Sequence, residues 1–133
     1  MSLQRTWLRF DGTDKADVER QRQFLWAHAK AGGVVRLDEH SGVLGVAEGI
    51  ETALSIDTVP MWAALDAGNL QGFPVLAGVR ELHIFADNDS NGLGLKAAKT
   101  LARRWKAAGR AVHLYMPPTV GADFNDVARE RAA

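Results

Sequence analysis

The stretch Ile84–Gly94, IFADNDSNGLG, carries three apolar residues straight into Asp87 and Asp89 and then into two glycines. An apolar run of this kind reads as the end of a buried strand, and Ser90, Asn91, Gly92 and Gly94 as a turn that opens a helix. Residues two apart on a strand point to the same side, so both carboxylates can face one point. Neighbouring acids repel each other, which leaves three ways to hold them: a metal ion, a basic side chain, or water at a surface turn.

Outward from that stretch the pattern is regular. ELHIFA (Glu81–Ala86) is a strand, and a long helix follows from about Gly92 to Ala108, stopped by Gly109 as a C-terminal cap. AVHLYM (Ala111–Met116) is a further strand halted by Pro117 and Pro118, and a last helix covers Phe124–Arg131. Upstream, VLGVA (Val43–Ala47) reads as a strand and GIETALSI (Gly49–Ile56) as a short helix. PMWAAL (Pro60–Leu65) is a second apolar run, trailed by the small, glycine-containing segment 66–72. Strands alternating with helices through short links imply an α/β fold with a parallel sheet covered on both faces. In open parallel sheets, ligands sit beyond the carboxyl ends of the strands. Glu48 and Asp87 each follow a strand directly, so both project from one edge if those strands are neighbours.

Before Gly42 the sequence is less regular. TWLRF (Thr6–Phe10) suggests a short strand before the turn-rich DGTDKAD, and GGVVRL (Gly32–Leu37) another strand entered through glycines. Between them, 18–30 has a helix-tolerant composition, but its FLWA block lacks a helical stripe. The 133 residues fit one domain, and 47% apolar with 24% charged residues is the balance of a globular protein. No run approaches the length needed to cross a bilayer and no signal peptide is evident, so a cytoplasmic location is expected. The absence of cysteine excludes disulfides, thiolate zinc sites and cysteine nucleophiles. His28, His40, His83 and His113 are scattered without ligand spacing, which argues against a histidine zinc site. Sixteen acids balance sixteen bases, so nucleic-acid binding would have to come from local patches.

Each acid has a plain and a chemical reading. Asp-Asn-Asp-Ser-Asn is ordinary turn and cap chemistry. The same pair of hard oxygen donors suits magnesium, with the helix start beside it, at Asn91 and Gly92, presenting backbone donors to a phosphate. Glu48, in VAEGIETALS, is either a glutamate favoured by a helix dipole or a general acid or base beside a metal. Glu51, one turn on, reads as a solvated residue or as a supporting contact behind the metal. In GADFNDVARE, Asp123 is placed to cap the last helix, with Asp126 close behind, and it too emerges at the carboxyl edge.

On the long helix, Leu95, Ala98, Leu101, Ala102, Trp105 and Ala108 share one face and read as core. Lys96, Lys99, Arg103, Lys106 and Arg110 share another, either a solvated face or a track for a nucleic-acid backbone, with Lys96 in reach of a phosphate near the acids. Arg20 and Arg22 are weaker candidates for such contacts. Trp62 and Trp105 sit in apolar patterns and read as core, whereas Trp7 and Trp26 remain open to a base-stacking reading.

Glu48-Gly49 at one strand end, Asp87-x-Asp89 at a later one and a glycine soon after resemble the Toprim signature. Toprim domains occur in bacterial primases, type IA and II topoisomerases, small ribonucleases and recombination proteins. The order AEGIETALS, ADND, DFND, preceded by RTWLRFDGTDKA and GGVVRL, is most similar to the Toprim domains of phage- and plasmid-type DNA primases, some fused to helicases. The likeness spans nearly the whole chain.

It implies a Toprim fold: a roughly four-stranded, mostly parallel sheet sandwiched by helices, with a small β extension that makes Phe24–Ala27 extended. The extension would be residues 1–41, packed on a catalytic core of 42–133, the whole a fragment of a larger replication protein. The resemblance further implies nucleotidyl transfer for RNA primer synthesis in DNA replication. Glu48 would act as general base or acid, with Glu48, Asp87, Asp89 and Asp123 around Mg2+ or Mn2+ and Glu51 and Asp126 supporting them. Asn91, Gly92, Lys96, Lys99 and Arg103 would contact phosphate or nucleic acid. Single-stranded DNA template and nucleoside triphosphates are the implied partners, with an RNA–DNA duplex and domains such as a helicase beside them. Asn88 stands where many primases carry glycine, on a side chain expected to point away from the metal. An isolated domain would bind metal weakly and lack polymerase activity. Two rivals are a Toprim nuclease using the same acids and a non-catalytic module that only binds nucleic acid or protein. An aspartyl phosphatase is disfavoured, because its acids would follow the first strand of the fold.

Overall fold

In the computed structural model, which describes residues 3–25 and 29–132, contacts divide the chain into two units, Met1–Gly33 and Val34–Ala133. In the first unit, β1 (Gln4–Thr6) pairs antiparallel with β2 (Arg22–Phe24). The strand expected at Thr6–Phe10 is thus displaced towards the N-terminus, and Leu8 forms only an isolated bridge to Lys15. Turn chemistry explains the shift. The Asp11 carboxylate accepts from the Thr13 amide (3.1 Å) and hydroxyl (2.8 Å), and these bonds, the amide first, hold its pKa below the ordinary value. Gly12 adopts φ +71° and its amide donates to Arg9 O, so the chain reverses where the strand would have continued. Trp7 is exposed, with the Arg5 guanidinium 5.3 Å from its ring centre. Of the expected extended run, Phe24 ends β2, while Trp26 and Ala27 lie outside the described residues.

The second unit contains a five-stranded sheet: β3 (Val35–Arg36), β4 (Val43–Ala47), β5 (Met61–Ala63), β6 (Glu81–Phe85) and β7 (Ala111–Tyr115). Its order is β3-β5-β4-β6-β7. Four strands are parallel, as the alternation with helices requires, and β3 joins β5 antiparallel at the edge. The helices are α1 (Ile50–Leu54), α2 (Ala67–Gly72), α3 (Leu93–Ala107) and α4 (Phe124–Ala132).

Strand alternation sorts the side chains to two faces. Leu44, Val46, Leu82 and Ile84 join Leu70, Phe73, Leu101 and Trp105 in the larger core, beneath α2 and α3. Ala47, Met61, Ala63 and Phe85 join Ala53 in the smaller one, against which Ile50 of α1 and Phe124 of α4 pack. Trp62 and Trp105 are core residues, linked through Phe73 by ring contacts at 6.1 and 6.2 Å. The buried face of α3 is Gly94, Ala97, Ala98, Leu101 and Trp105. Ala108, expected on that face, is exposed, because the helix ends at Ala107 and Ala108 is its C-cap. Gly109, at φ +75°, makes the turn that follows. Segment 66–72 is largely helical: Asp66 Oδ1 accepts from the Asn69 amide (2.8 Å) and Leu70 is fully buried. Among the described residues no helix is long and apolar enough to cross a membrane.

Gly45, at the middle of β4, lies under a close approach of the β5 approach segment. A methyl group there would clash with Met61 Sδ and stand 2.8 Å from Val59 Cγ2 and 3.3 Å from Pro60 O. Gly45→Ala is expected to cost about 1–3 kcal/mol, seen as a lower urea midpoint at unchanged slope. An unchanged midpoint would mean that these neighbours yield freely.

Candidate metal centre

The parallel pairing of β4 with β6 runs from Val43↔Glu81 to Ala47↔Phe85, so both strands end level. Glu48 and Asp87 therefore leave the sheet at the same edge, on neighbouring strands. All three acids of this edge, Glu48, Asp87 and Asp89, are half-buried.

Helix α1 turns back from Glu48 and places Thr52 beneath the edge. The Thr52 hydroxyl, on a residue only 2% exposed, donates to Asp87 Oδ1 at 3.1 Å. Helix α3 supplies the other wall. Its second residue, Gly94, donates weakly from its amide to Asp89 Oδ2 (3.4 Å), and the positive end of a helix favours that carboxylate. A Cβ on Gly94 would meet Asp87 O at 3.2 Å, Glu48 Oε2 at 3.3 Å and Asp89 Oδ2 at 3.7 Å. Oxygens from two strand ends and the helix start therefore converge on the space that a missing side chain leaves open. Asp89 Oδ1 is buried without a hydrogen-bond partner, a costly state for a carboxylate oxygen unless a cation meets it.

The loop carrying these acids is tied to the loop before α4. Asn88 Nδ2 donates to Pro117 O (2.9 Å), its amide donates to Ala122 O (3.3 Å), and its carbonyl accepts from the Gly121 amide (2.6 Å). The Asn88 side chain is spent on this tie. Asp123 follows immediately and stands just before α4. Its Oδ1 accepts from the Asp126 amide (3.0 Å), while Asp126 Oδ2 accepts from the Asp123 amide (3.2 Å), a reciprocal cap. The structure thus brings the Glu48 and Asp89 carboxylates and the Asp87 main-chain carbonyl to one cradle and holds Asp123 and Asp126 in the capping of the next helix. Glu51 Oε2 folds back to within 3.5 Å of the Cβ position of Gly49.

At the helix start, Asn91 Oδ1 accepts from the Leu93 amide (2.8 Å) and Gly92 is the N-cap with φ +66°, so two amides of the first turn already serve Asn91 and Asp89. Lys96, Lys99, Arg103 and Lys106 are exposed and line one groove of about 650 Å3 with Gly92, Leu95, Ala102 and Leu114. Arg110 is half-buried. Arg104, outside the stripe, donates to Gln71 O (2.8 Å) and to Phe73 O, closing the end of α2.

Two residues of the cradle lie outside the set expected from sequence. Thr52 carries a signal, a hydroxyl one helical turn past Glu48 amid apolar neighbours. Gly94 reads in sequence as a helix opener, and only the folded edge gives its missing side chain a role.

A family model described as the Toprim domain matches residues 43–133. No curated protein and no solved structure gives a significant match to the chain.

Because alanine is the better helix former, Gly94→Ala should leave the fold intact while placing a methyl group among the three oxygens. Mn2+ affinity measured calorimetrically is expected to fall at least about tenfold. Unchanged affinity would mean that the cradle beside Gly94 is not where the ion sits.

Proposed function

The chain belongs to the Toprim domain family, and from that premise we propose that it is the catalytic domain of a DNA primase-like protein that joins nucleotides into RNA primers. Its Toprim domain marks it as a metal-binding module of the nucleic-acid-processing kind, a class that includes primases, nucleases and topoisomerases. The observation that carries the reading is the convergence of Glu48 Oε2, Asp89 Oδ2 and Asp87 O on the Gly94 cradle, with the orphaned Asp89 Oδ1 beside it.

An all-oxygen donor set fits Mg2+ or Mn2+, which bind through one or two carboxylates and complete their shells with water and phosphate oxygens. Glu48, Asp87 and Asp89 would hold such an ion, with Asp123 a further donor if its cap opens. When bound, the cation supplies Lewis acidity, lowering the pKa of an attacking hydroxyl and offsetting charge on the leaving phosphates.

The chain's own groups take the remaining roles. Glu48 accepts the proton of the primer 3′-hydroxyl as its oxygen attacks the α-phosphorus and pyrophosphate departs. Thr52 holds the Asp87 carboxylate through a hydrogen bond from its hydroxyl, and Asn88 fixes the loop that carries both aspartates. Lys96, Lys99 and Arg103 hold the phosphate backbone of a single-stranded DNA template or of the growing RNA–DNA duplex along the α3 groove, an attraction that salt weakens. Domains of a parent protein, such as a helicase, would supply further template and nucleotide contacts.

The test is primer synthesis by the parent protein on single-stranded DNA with nucleoside triphosphates and Mg2+. Glu48→Gln should reduce it by about 100-fold or more, the scale of a lost general base. Strands that are nicked and not extended by the wild type would make the module a Toprim nuclease. Full synthesis by Glu48→Gln would reduce it to a non-catalytic binding module.

A further inference from the structure

We propose that Glu81, His83 and His113 form a second cation site, selective for Zn2+ and similar late first-row metals and separate from the oxygen cradle at the sheet edge. Glu81 and His83 are two apart on β6 and so share a face. His113 stands directly opposite His83 in the parallel register of β6 with β7. His83 Nε2 lies 3.0 Å and His113 Nε2 3.1 Å from one and the same oxygen, Glu81 Oε1. One donor atom from each of the three falls within 4.8 Å of the others. Sequence spacing argues against a histidine zinc site, but spacing does not see that strand register sets His83 beside His113, thirty residues on.

The geometry is close to that of a metal site before the ion enters. Zinc holds nitrogen and oxygen donors at about 2.0–2.2 Å, so tetrahedral donors stand roughly 3.3–3.5 Å from each other. The two observed separations are slightly shorter, and small side-chain rotations would open them. The imidazole rings stack at 4.8 Å with 28° between planes, aiming both Nε2 atoms at the carboxylate. His83 Nδ1 lies 3.2 Å from the Tyr115 hydroxyl. That partner can accept from Nδ1–H once Nε2 faces an ion, the outer contact that orients metal-binding imidazoles.

The His83 side chain is 14% exposed and that of His113 48%, so the cluster is walled on one side and open to solvent for a fourth ligand on the other. His83 lies inside β6 and Asp87 two residues past its end, four residues apart, about 13 Å of extended chain, which separates the two sites. Their donors also differ: two imidazoles favour zinc-like metals, whereas carboxylates and carbonyls favour magnesium. A bound ion would clip edge strand β7 to β6.

Without an ion, the same contacts are two imidazole N–H groups donating to one carboxylate, and the experiment separates these cases. The untagged full chain, stripped with chelator, is titrated with Zn2+ by calorimetry, and with Co2+ as a spectroscopic probe of tetrahedral ligation. One equivalent is expected, retained by the Asp87→Asn, Asp89→Asn double variant. His113→Ala, at a half-exposed position whose loss should leave the circular dichroism intact, and Glu81→Gln should each weaken binding by at least about tenfold. Three results would overturn the site: no Zn2+ binding tighter than that of His113→Ala, binding indifferent to both of these substitutions, or binding lost with the two aspartates.

Discussion

The parallel pairing of β4 with β6 is the constraint on which the acidic edge depends. Ala47 and Phe85 end that pairing level with each other, so Glu48, one residue past β4, and Asp87, two residues past β6, must share an edge. The arrangement has an electrostatic cost. Two unit charges about 6 Å apart in a medium of effective dielectric about 20 repel by about 3 kcal/mol. Beneath them Leu44, Val46, Leu82 and Ile84 are fully buried, and each such side chain contributes about 1.5–3 kcal/mol. The hydrophobic sheet can therefore hold together charges that would otherwise drift apart, and a cation between them turns the cost into an attraction.

How far this was legible in sequence depends on the range of each interaction. Strand ends and the acids that follow them are local features, and VLGVA and ELHIFA reproduce β4 and β6 to within one residue. Thr52 meets Asp87 across 35 positions, and the value of Gly94 lies in the Cβ it lacks; neither is visible without the fold. Segment 66–72 hides its helix because glycine and asparagine are poor helix formers, while the Asp66 cap and the burial of Leu70 override that preference. TWLRF misleads for the opposite reason, since its β-prone residues yield to the Asp11 turn.

The basic stripe on α3 shows a similar division. Lys96, Lys99, Arg103 and Lys106 share a groove whose apolar lining includes Leu95, Ala102 and Leu114, a shape that helical periodicity alone does not give. Arg104, between them in sequence, is drawn away to the carbonyls that end α2. The tryptophans divide by burial: Trp62 and Trp105 are core, and Trp7 keeps an open face. Gly92 both caps α3 and lines the groove, so the cradle and the basic stripe meet at the start of one helix.

Anomalous diffraction from crystals soaked in Mn2+ tests the cradle most directly. A peak bounded by the carboxylates of Glu48, Asp87 and Asp89, next to Gly94, is the expected result. Manganese bound elsewhere, with those three carboxylates directed away from one another, would contradict it.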